Sequence, residues 1–435
     1  MKKEIYEDNW WYSTLRHGVD LYIKGSYKKY RCVGLEKIPT DGAIIFSPNH
    51  CDALMDPFAV LAMNRSKKVF VARADVFRKP VFRKILTFLK IMPITRVRDG
   101  FRNVLDTNDT IEKSIEVLNN LVPFCILPEG THRSMHSLLP LGKGLSRIAL
   151  GSHRSRTDGK HVYVVPVGCE YGDYYRYRST LLLTIGDPID ISDYLEAHKD
   201  KVEPQLLSDI RTLTAEAMKQ QIVYIPDDDD YEATWELTKL QSGTVPECRL
   251  QTRFDANREA VARLEQLREK QPEAARKLFE KALRWKEARQ KARVSLHVTN
   301  TRHPLLAALW RTLKGVVTLP FALVYALVSC PAWGVGEKLA AGVEDRTFRN
   351  SLRCCAILLL WTLMLIIGAV VLFCTMKWYW ALLALVLLLP APQLTYDWFE
   401  QMRRLASAWR WCCNPRLRKQ FRELKNELNE TLNNI

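Results

Sequence analysis

A histidine and a carboxylate lie six positions apart in the stretch Ser47-Pro48-Asn49-His50-Cys51-Asp52-Ala53-Leu54-Met55-Asp56-Pro57-Phe58. A carboxylate on one imidazole nitrogen fixes the tautomer and leaves the other nitrogen to take a proton from a hydroxyl. That is a nucleophile triad without its serine. A hydroxyl supplied by the substrate would make the chemistry acyl transfer directly onto an alcohol, with no covalent enzyme intermediate. Six positions at about 100° each put the two residues on different faces of one continuous helix, so they meet only if the chain turns between them. The competing reading is that His50 packs at a strand end while Asp56, followed by Pro57, caps a helix. Asp52 is a second carboxylate in the same stretch.

These residues require a strand that ends and a helix that begins. Ala43-Ile44-Ile45-Phe46 is a short apolar run of the buried-strand kind, and Pro57 to Met63 gives the helix. Similar runs at Val69 to Ala72, Phe124 to Leu127, Val162 to Val167 and Leu181 to Ile185 alternate with helical stretches at Val76 to Leu89, Thr107 to Leu121 and Leu145 to Leu150. The alternation predicts an α/β fold with a mostly parallel sheet, helices around it and a site at the strand ends. Met92 to Arg98 brings two arginines to another strand end. Trp10 to Tyr30 reads as a helix with Trp10, Trp11, Leu15, Val19 and Tyr22 on one side. In Val76 to Leu89, Phe82, Ile85, Leu86 and Leu89 recur at helical spacing among Arg78, Lys79, Arg83, Lys84 and Lys90. Both amphipathic stretches suit either a membrane surface or packing onto the domain.

A chain of 435 residues is long for one domain, and its net charge of +16 calls for an anionic partner. Late apolar segments point to an anionic membrane, and no RRM, KH or zinc motif supports nucleic acid. The 11 cysteines show no CxxC spacing, which reads as reduced thiols rather than a metal cage. The acidic run Asp227 to Asp230 lacks the glycine and spaced ligands of a calcium loop, so no metal is expected. Charged residues interrupt the first 24 positions, which argues against a signal peptide and for a cytoplasmic first part. The expected organisation is an amphipathic helix at 1–30, a catalytic domain at 31–225, a charged helical connector at 226–310, a membrane region at 311–405 and an amphipathic tail at 406–435. Within the membrane region, 354–376 and 381–392 form a helical hairpin. The uncharged stretch 316–335, broken by Pro320 and Pro331, spans, re-enters or lies shallow. If it does not cross, Arg346, Arg349, Arg353, Arg403, Arg404 and Arg410 share one side, cytoplasmic by the positive-inside rule.

Four blocks in order resemble the phospholipid/glycerol acyltransferase family, the glycerol-3-phosphate and 1-acylglycerol-3-phosphate acyltransferases: Asn49-His50 with Asp56-Pro57, Ile94-Thr95-Arg96, Pro128-Glu129-Gly130-Thr131, and Val165-Pro166-Val167. The resemblance covers about half the chain, roughly residues 25 to 225, and the C-terminal membrane segments look like the longer forms. It implies His50 as general base, Asp56 as its orienting partner, and Arg96, Glu129, Gly130 and Thr131 around the acceptor, with Arg133 and Lys143 as further phosphate ligands. It implies no cofactor beyond a thioester co-substrate, acyl-CoA or acyl carrier protein. The blocks suit both acceptors; the expected intramembrane hairpin favours 1-acylglycerol-3-phosphate, a lipid, while the long architecture favours the alternative, glycerol-3-phosphate or dihydroxyacetone phosphate. A non-catalytic lipid-binding scaffold on a decayed domain is the alternative of another class. Two departures motivate it. The family's usual spacing leaves four residues between histidine and aspartate where this chain has five, and His132 stands inserted before Arg133-Ser134 in the third block.

Overall fold

The computed structural model describes residues 4–7, 9–94 and 104–433, without the side chains of 104–108. The chain divides into two units, one of Met1–Tyr174 with Leu181–Ile222 and one of Tyr175–Thr180 with Val223–Ile435.

The first unit is built on a sheet of β1 (Lys29–Val33), β2 (Ala43–Pro48), β3 (Val69–Arg73), β4 (Ile91–Ile94), β5 (Phe124–Cys125), β6 (Val162–Tyr171), β7 (Thr180–Ile185) and β8 (Ile189–Asp190). The strand order is β1-β7-β6-β2-β5-β3-β4, with β8 beside β6. β2 runs parallel to both neighbours, with Ile45 opposite Phe124 and Val164. β3 is parallel to β4 and β5, while β7 and β8 are antiparallel to β6. A parallel strand covered on both faces has no polar face to show, which is why every residue of β2 is buried and its sequence does not alternate.

The helices of this unit are α1 (Trp10–Gly25), α2 (Met55–Ala62), α3 (Pro80–Phe88), α4 (Val104–Asn119), α5 (Gly144–Ser155), α6 (Ile191–Ala197) and α7 (Glu203–Lys219). Leu118 of α4, Ile148 and Ala149 of α5 and Ile210 of α7 share a core with Ala43, Ile45 and Val164 of the sheet. The amphipathic stripe expected on α1 is not the side that packs. Tyr12, Arg16 and Ile23 are buried instead. The Arg16 guanidinium donates to the carbonyls of Leu61 and Asn64 at the end of α2 and to Asp20, so a buried arginine rather than an apolar seam fastens the helix. The stretch 76–89 is a short 3-10 turn followed by α3, and α3 buries none of its residues.

The second unit is helical: α8 (Tyr231–Ser242), α9 (Leu250–Lys270), α10 (Pro272–Lys291), α11 (Leu296–Thr299), α12 (Pro304–Ala341), α13 (Arg346–Thr375), α14 (Trp378–Leu388), α15 (Ala391–Cys412) and α16 (Pro415–Asn433). Residues 226–310 are more than a connector. Leu237, Leu264, Leu278 and Trp285 form a core with Leu417, Phe421, Leu424 and Leu428 of the tail, so two polar-looking stretches far apart in sequence bury each other's apolar stripes. Pro320 and Pro331 do not break the apolar stretch, and both lie inside the continuous α12. The loop Tyr175–Thr180, between β6 and β7, belongs to this unit. Arg176 pairs with Glu400 and Arg178 with Asp397, each at 2.6 Å, and Tyr177 lies edge-on to Tyr396.

Candidate active site

The site starts at the end of β2. Asn49 extends the strand pairing by side chain: its Oδ1 accepts from the Cys169 N–H at 2.6 Å and its Nδ2 donates to the Cys169 carbonyl at 3.3 Å. With Asn49 locked to β6, the chain leaves the sheet at His50 and turns through Ala53, whose φ is +42°, into α2. Asp56, in the first turn of α2, then faces back toward the strand end. The turn that the His50–Asp56 spacing required is therefore present.

His50 Nδ1 lies 2.8 Å from Asp56 Oδ2. The Asp56 carboxylate is fully buried, and every side of it is occupied. Oδ2 also accepts the backbone N–H groups of Cys51 and Asp52, both at 2.8 Å, and Oδ1 accepts the Tyr171 hydroxyl at 2.8 Å and the weaker Cys51 thiol at 3.7 Å. A buried charge is tolerable when its lone pairs are filled in this way. Asp56 is thus the histidine's partner and not the cap of α2: the N–H groups it accepts precede the helix, and Leu54 at the N-cap makes no side-chain capping bond. Asp52 gives its own N–H to Asp56 and does not stand in its place. The carboxylate orients the imidazole with Nδ1 as donor, and among the described residues none hydrogen-bonds Nε2.

Glu129 stands on the other side of His50. Its Oε1 accepts the His50 N–H at 2.6 Å and its Oε2 the Leu139 N–H at 2.8 Å. Both oxygens face backbone amides, so Glu129 ties the loop that carries His50 to the segment at Leu139. Burial pushes its carboxyl up from 4.5 to about 7, only partly offset by those amides. Below 4.5 the group is protonated folded and unfolded alike. Above about 7 it is ionised in both, and the folded state then carries the full cost of the buried charge. Stability therefore falls by roughly 3 kcal/mol as the pH rises through this window. Thermal midpoints of the detergent-solubilised protein across it should show the wild type losing ground to Glu129→Gln as pH increases. Parallel curves would remove Glu129 as the titrating group.

The third block closes around His50. Gly130 adopts φ +68°, a left-handed conformation that a β-carbon disfavours, and this reverses the chain after Glu129. Thr131 follows, half-buried. The Arg133 N–H then donates to the His50 carbonyl at 3.0 Å, and its guanidinium to Ser137 Oγ at 2.7 Å. The inserted His132 places its ring 5.4 Å from that of His50, edge to face. Lys143 is exposed immediately before α5 and next to Gly142, whose N–H donates to the Pro128 carbonyl at 2.8 Å. His50, Asp56, Glu129, Gly130, Thr131 and Arg133 are accordingly gathered at the ends of β2 and β5, with Lys143 on the adjoining turn. Arg96 lies outside the described residues. Sequence reasoning missed Tyr171, Asn49's link to Cys169, and the backbone role of Glu129. Only the position of Tyr171 four residues beyond the fourth block hinted at any of them.

Residues 29–170 match the family model described as Acyltransferase. Among curated proteins, glycerol-3-phosphate O-acyltransferase 2 of Saccharomyces cerevisiae is 33% identical over 97 residues, 22% of this chain and 13% of that protein. Glycerol-3-phosphate O-acyltransferase 1 of the same yeast is 38% identical over 72 residues, 17% of this chain and 9% of that protein. The matched stretches are thus a small part of either relative's length. Among solved structures, the 1-acyl-sn-glycerophosphate (LPA) acyltransferase PlsC from Thermotoga maritima aligns over 48% of this chain and 80% of its own, with 21% identity and a TM-score of 0.34.

Proposed function

We propose that this protein, whose residues 29–170 match the Acyltransferase family model, is a membrane-bound glycerophosphate O-acyltransferase transferring a fatty acyl group from a thioester, acyl-CoA or acyl carrier protein, to 1-acylglycerol-3-phosphate. The observation that carries this is the His50–Asp56 pair, with Nδ1 held by a buried carboxylate and Nε2 left for the acceptor. In the proposed step Nε2 takes the proton of the acceptor hydroxyl as its oxygen attacks the thioester carbonyl. The tetrahedral intermediate collapses by breaking the C–S bond. The imidazolium, stabilised by Asp56, then returns the proton to the leaving thiolate. The chemistry requires no metal, and Arg96, Arg133 and Lys143 are the cations proposed to meet the acceptor phosphate.

The lipid acceptor is supported by the surface of the first unit. Isolated helices shorter than about 12 residues are marginal in water, yet α3 exposes Val81, Phe82, Ile85 and Phe88. At about 100° per residue these fall on one side, with Arg83 and Lys84 on the other. A short basic helix with an uncovered apolar side suits an anionic bilayer that delivers the acceptor and donor chains. The second reading, glycerol-3-phosphate as acceptor, is favoured by the names of the two yeast relatives. Both readings place the catalytic domain on the cytoplasmic face.

Purified protein in detergent, given a labelled long-chain acyl-CoA and each acceptor in turn, distinguishes them. Product from 1-acylglycerol-3-phosphate at least tenfold above that from glycerol-3-phosphate is expected. The opposite ratio moves the assignment to the second reading, and no product with either thioester donor removes both.

A further inference from the structure

Three segments of the second unit are long and apolar enough to cross a membrane: Pro304–Ala341, Arg346–Thr375 and Trp378–Cys412. Three crossings would put α8–α10 and α16 on opposite sides of the bilayer. Their packing excludes that. Trp285 of α10 and Trp411 of α15 both meet Phe421 of α16, at ring separations of 5.5 and 5.6 Å, and Lys281 of α10 pairs with Glu427 at 2.6 Å. Ala308, early in α12, and Ala408, late in α15, lie in the same core. Segments that share one core lie on one side, so the number of crossings is even.

The helix that does not cross is identified by what it packs on. Small residues recur every seven positions along α12, at Ala308, Gly315, Ala322, Ser329 and Gly336, and all are buried. Such a seam lets another helix approach closely. Up to Ser329 the helix it meets is α15: Thr312 Oγ1 accepts from the Trp409 indole at 3.1 Å, Ser329 Oγ is 3.2 Å from Thr395 Oγ1, and beyond it the Tyr396 hydroxyl donates to Glu337 at 2.7 Å, while Gly336 lies against Arg353 and Ala356 early in α13. That same part of α15 carries Asp397, Glu400 and Arg404, tied to Arg176, Arg178 and Glu247. A charged residue at mid-bilayer costs about 2.5–3.5 kcal/mol on insertion scales, and irregular backbone exposed to lipid is not tolerated there. Were α12 to cross, it would take α15's charges and the loop 175–180 into the hydrocarbon. The stretch from Cys354 to Met376 has no such burden, being uncharged, with Leu359, Ile366 and Val370 exposed.

We propose that α12 lies in the plane of the bilayer surface, and that the hairpin of α13 and α14 is the part of this unit that enters the hydrocarbon. Trp310, Leu313, Val317, Phe321 and Val324, all exposed, fall opposite the small-residue seam at about 100° per residue and face the headgroup–acyl boundary. The partner of this surface is lipid.

The native cysteines allow a direct test on the full chain in sealed membranes from expressing cells. Cys248 precedes α12 and Cys413 follows α15, and both are exposed. Glu344→Cys adds an exposed reporter in the short turn between α12 and α13. A membrane-impermeant maleimide is applied before and after permeabilisation, and labelled peptides are read by mass spectrometry. All three positions should label from the same face and fall to background from the other. Labelling of position 344 or Cys413 from the face opposite Cys248 would overturn the proposal. The readout uses no substrate, so a failed acyl-transfer assay leaves it intact, and its failure leaves that assay intact.

Discussion

His50→Ala should lower acyl transfer by about 10² to 10⁴, the range that positioned general-base catalysis supplies, while leaving the thermal midpoint close to wild type. The side chain is partly open to solvent, and its one described bond is to a carboxylate that keeps four other donors. Asp56→Asn should be milder. An asparagine can place either oxygen or NH2 toward His50, and in many histidine–carboxylate pairs the amide imposes the wrong tautomer. Here the Cys51 and Asp52 N–H groups share Oδ2 with the imidazole, so an amide nitrogen at that position would face two donors. The oxygen is held there, Nδ1–H is kept as donor, and the variant loses mainly the negative charge that stabilises the imidazolium. A loss of about 10² is expected, with no change in KM for the acceptor. Single-turnover rates with saturating thioester measure both effects. A His50→Ala enzyme of wild-type rate would end the role proposed for this pair, and an Asp56→Asn loss approaching about 10⁴ would show that the tautomer is not held.

Gly168→Ala should cost the fold more than any single catalytic substitution. Gly168 lies in β6 opposite Thr184 of β7, and a β-carbon there would overlap the Gln221 carbonyl oxygen. That carbonyl already accepts the Thr184 hydroxyl at 2.6 Å. Overpacking that displaces side chains costs about 1–3 kcal/mol. The obstacle here is main chain just beyond α7, which cannot rotate away, so the loss should reach or exceed the top of that range. The neighbouring Cys169 grips Asn49 through both its backbone groups, so the displacement should also loosen the loop carrying His50. Yield, thermal midpoint and residual activity of the purified variant test this together. A midpoint within a degree or two of wild type would mean that β6 does not press on Gln221 in solution.

The sheet was legible because its strands are apolar runs bounded by polar turns, and β2 with its two parallel neighbours follows that rule. β1, with alternating polar residues, and the two-residue β8 carry too little pattern to be seen. The pairing of His50 with Asp56 could be posed from the sequence but not answered, since it depends on a turn through Ala53 with positive φ that no glycine announces. Glu129 was placed at the acceptor by the family resemblance alone. Its actual partners are backbone N–H groups, which every residue carries and which composition therefore cannot reveal. The stripe on α1 failed for a related reason. Periodicity finds apolar sides, and α1 is fastened by a buried arginine that donates to the Leu61 and Asn64 carbonyls. The core shared by α10 and α16 joins stretches more than a hundred residues apart, the first of which reads as a charged connector and the second as an amphipathic tail with no indicated partner.

The loop Tyr175–Thr180 makes the division into units non-modular. The chain passes from one unit to the other three times, after Tyr174, after Thr180 and after Ile222, so no single cut yields a detachable catalytic fragment. A truncation ending at 222 keeps every strand of the sheet but strips Arg176 and Arg178 of Glu400 and Asp397. It leaves two orphaned cations on the hairpin that begins four residues after Tyr171, the residue whose hydroxyl holds Asp56. Domain shuffling that treats the helical half as a removable anchor would therefore disturb the active site through the backbone of β6 itself.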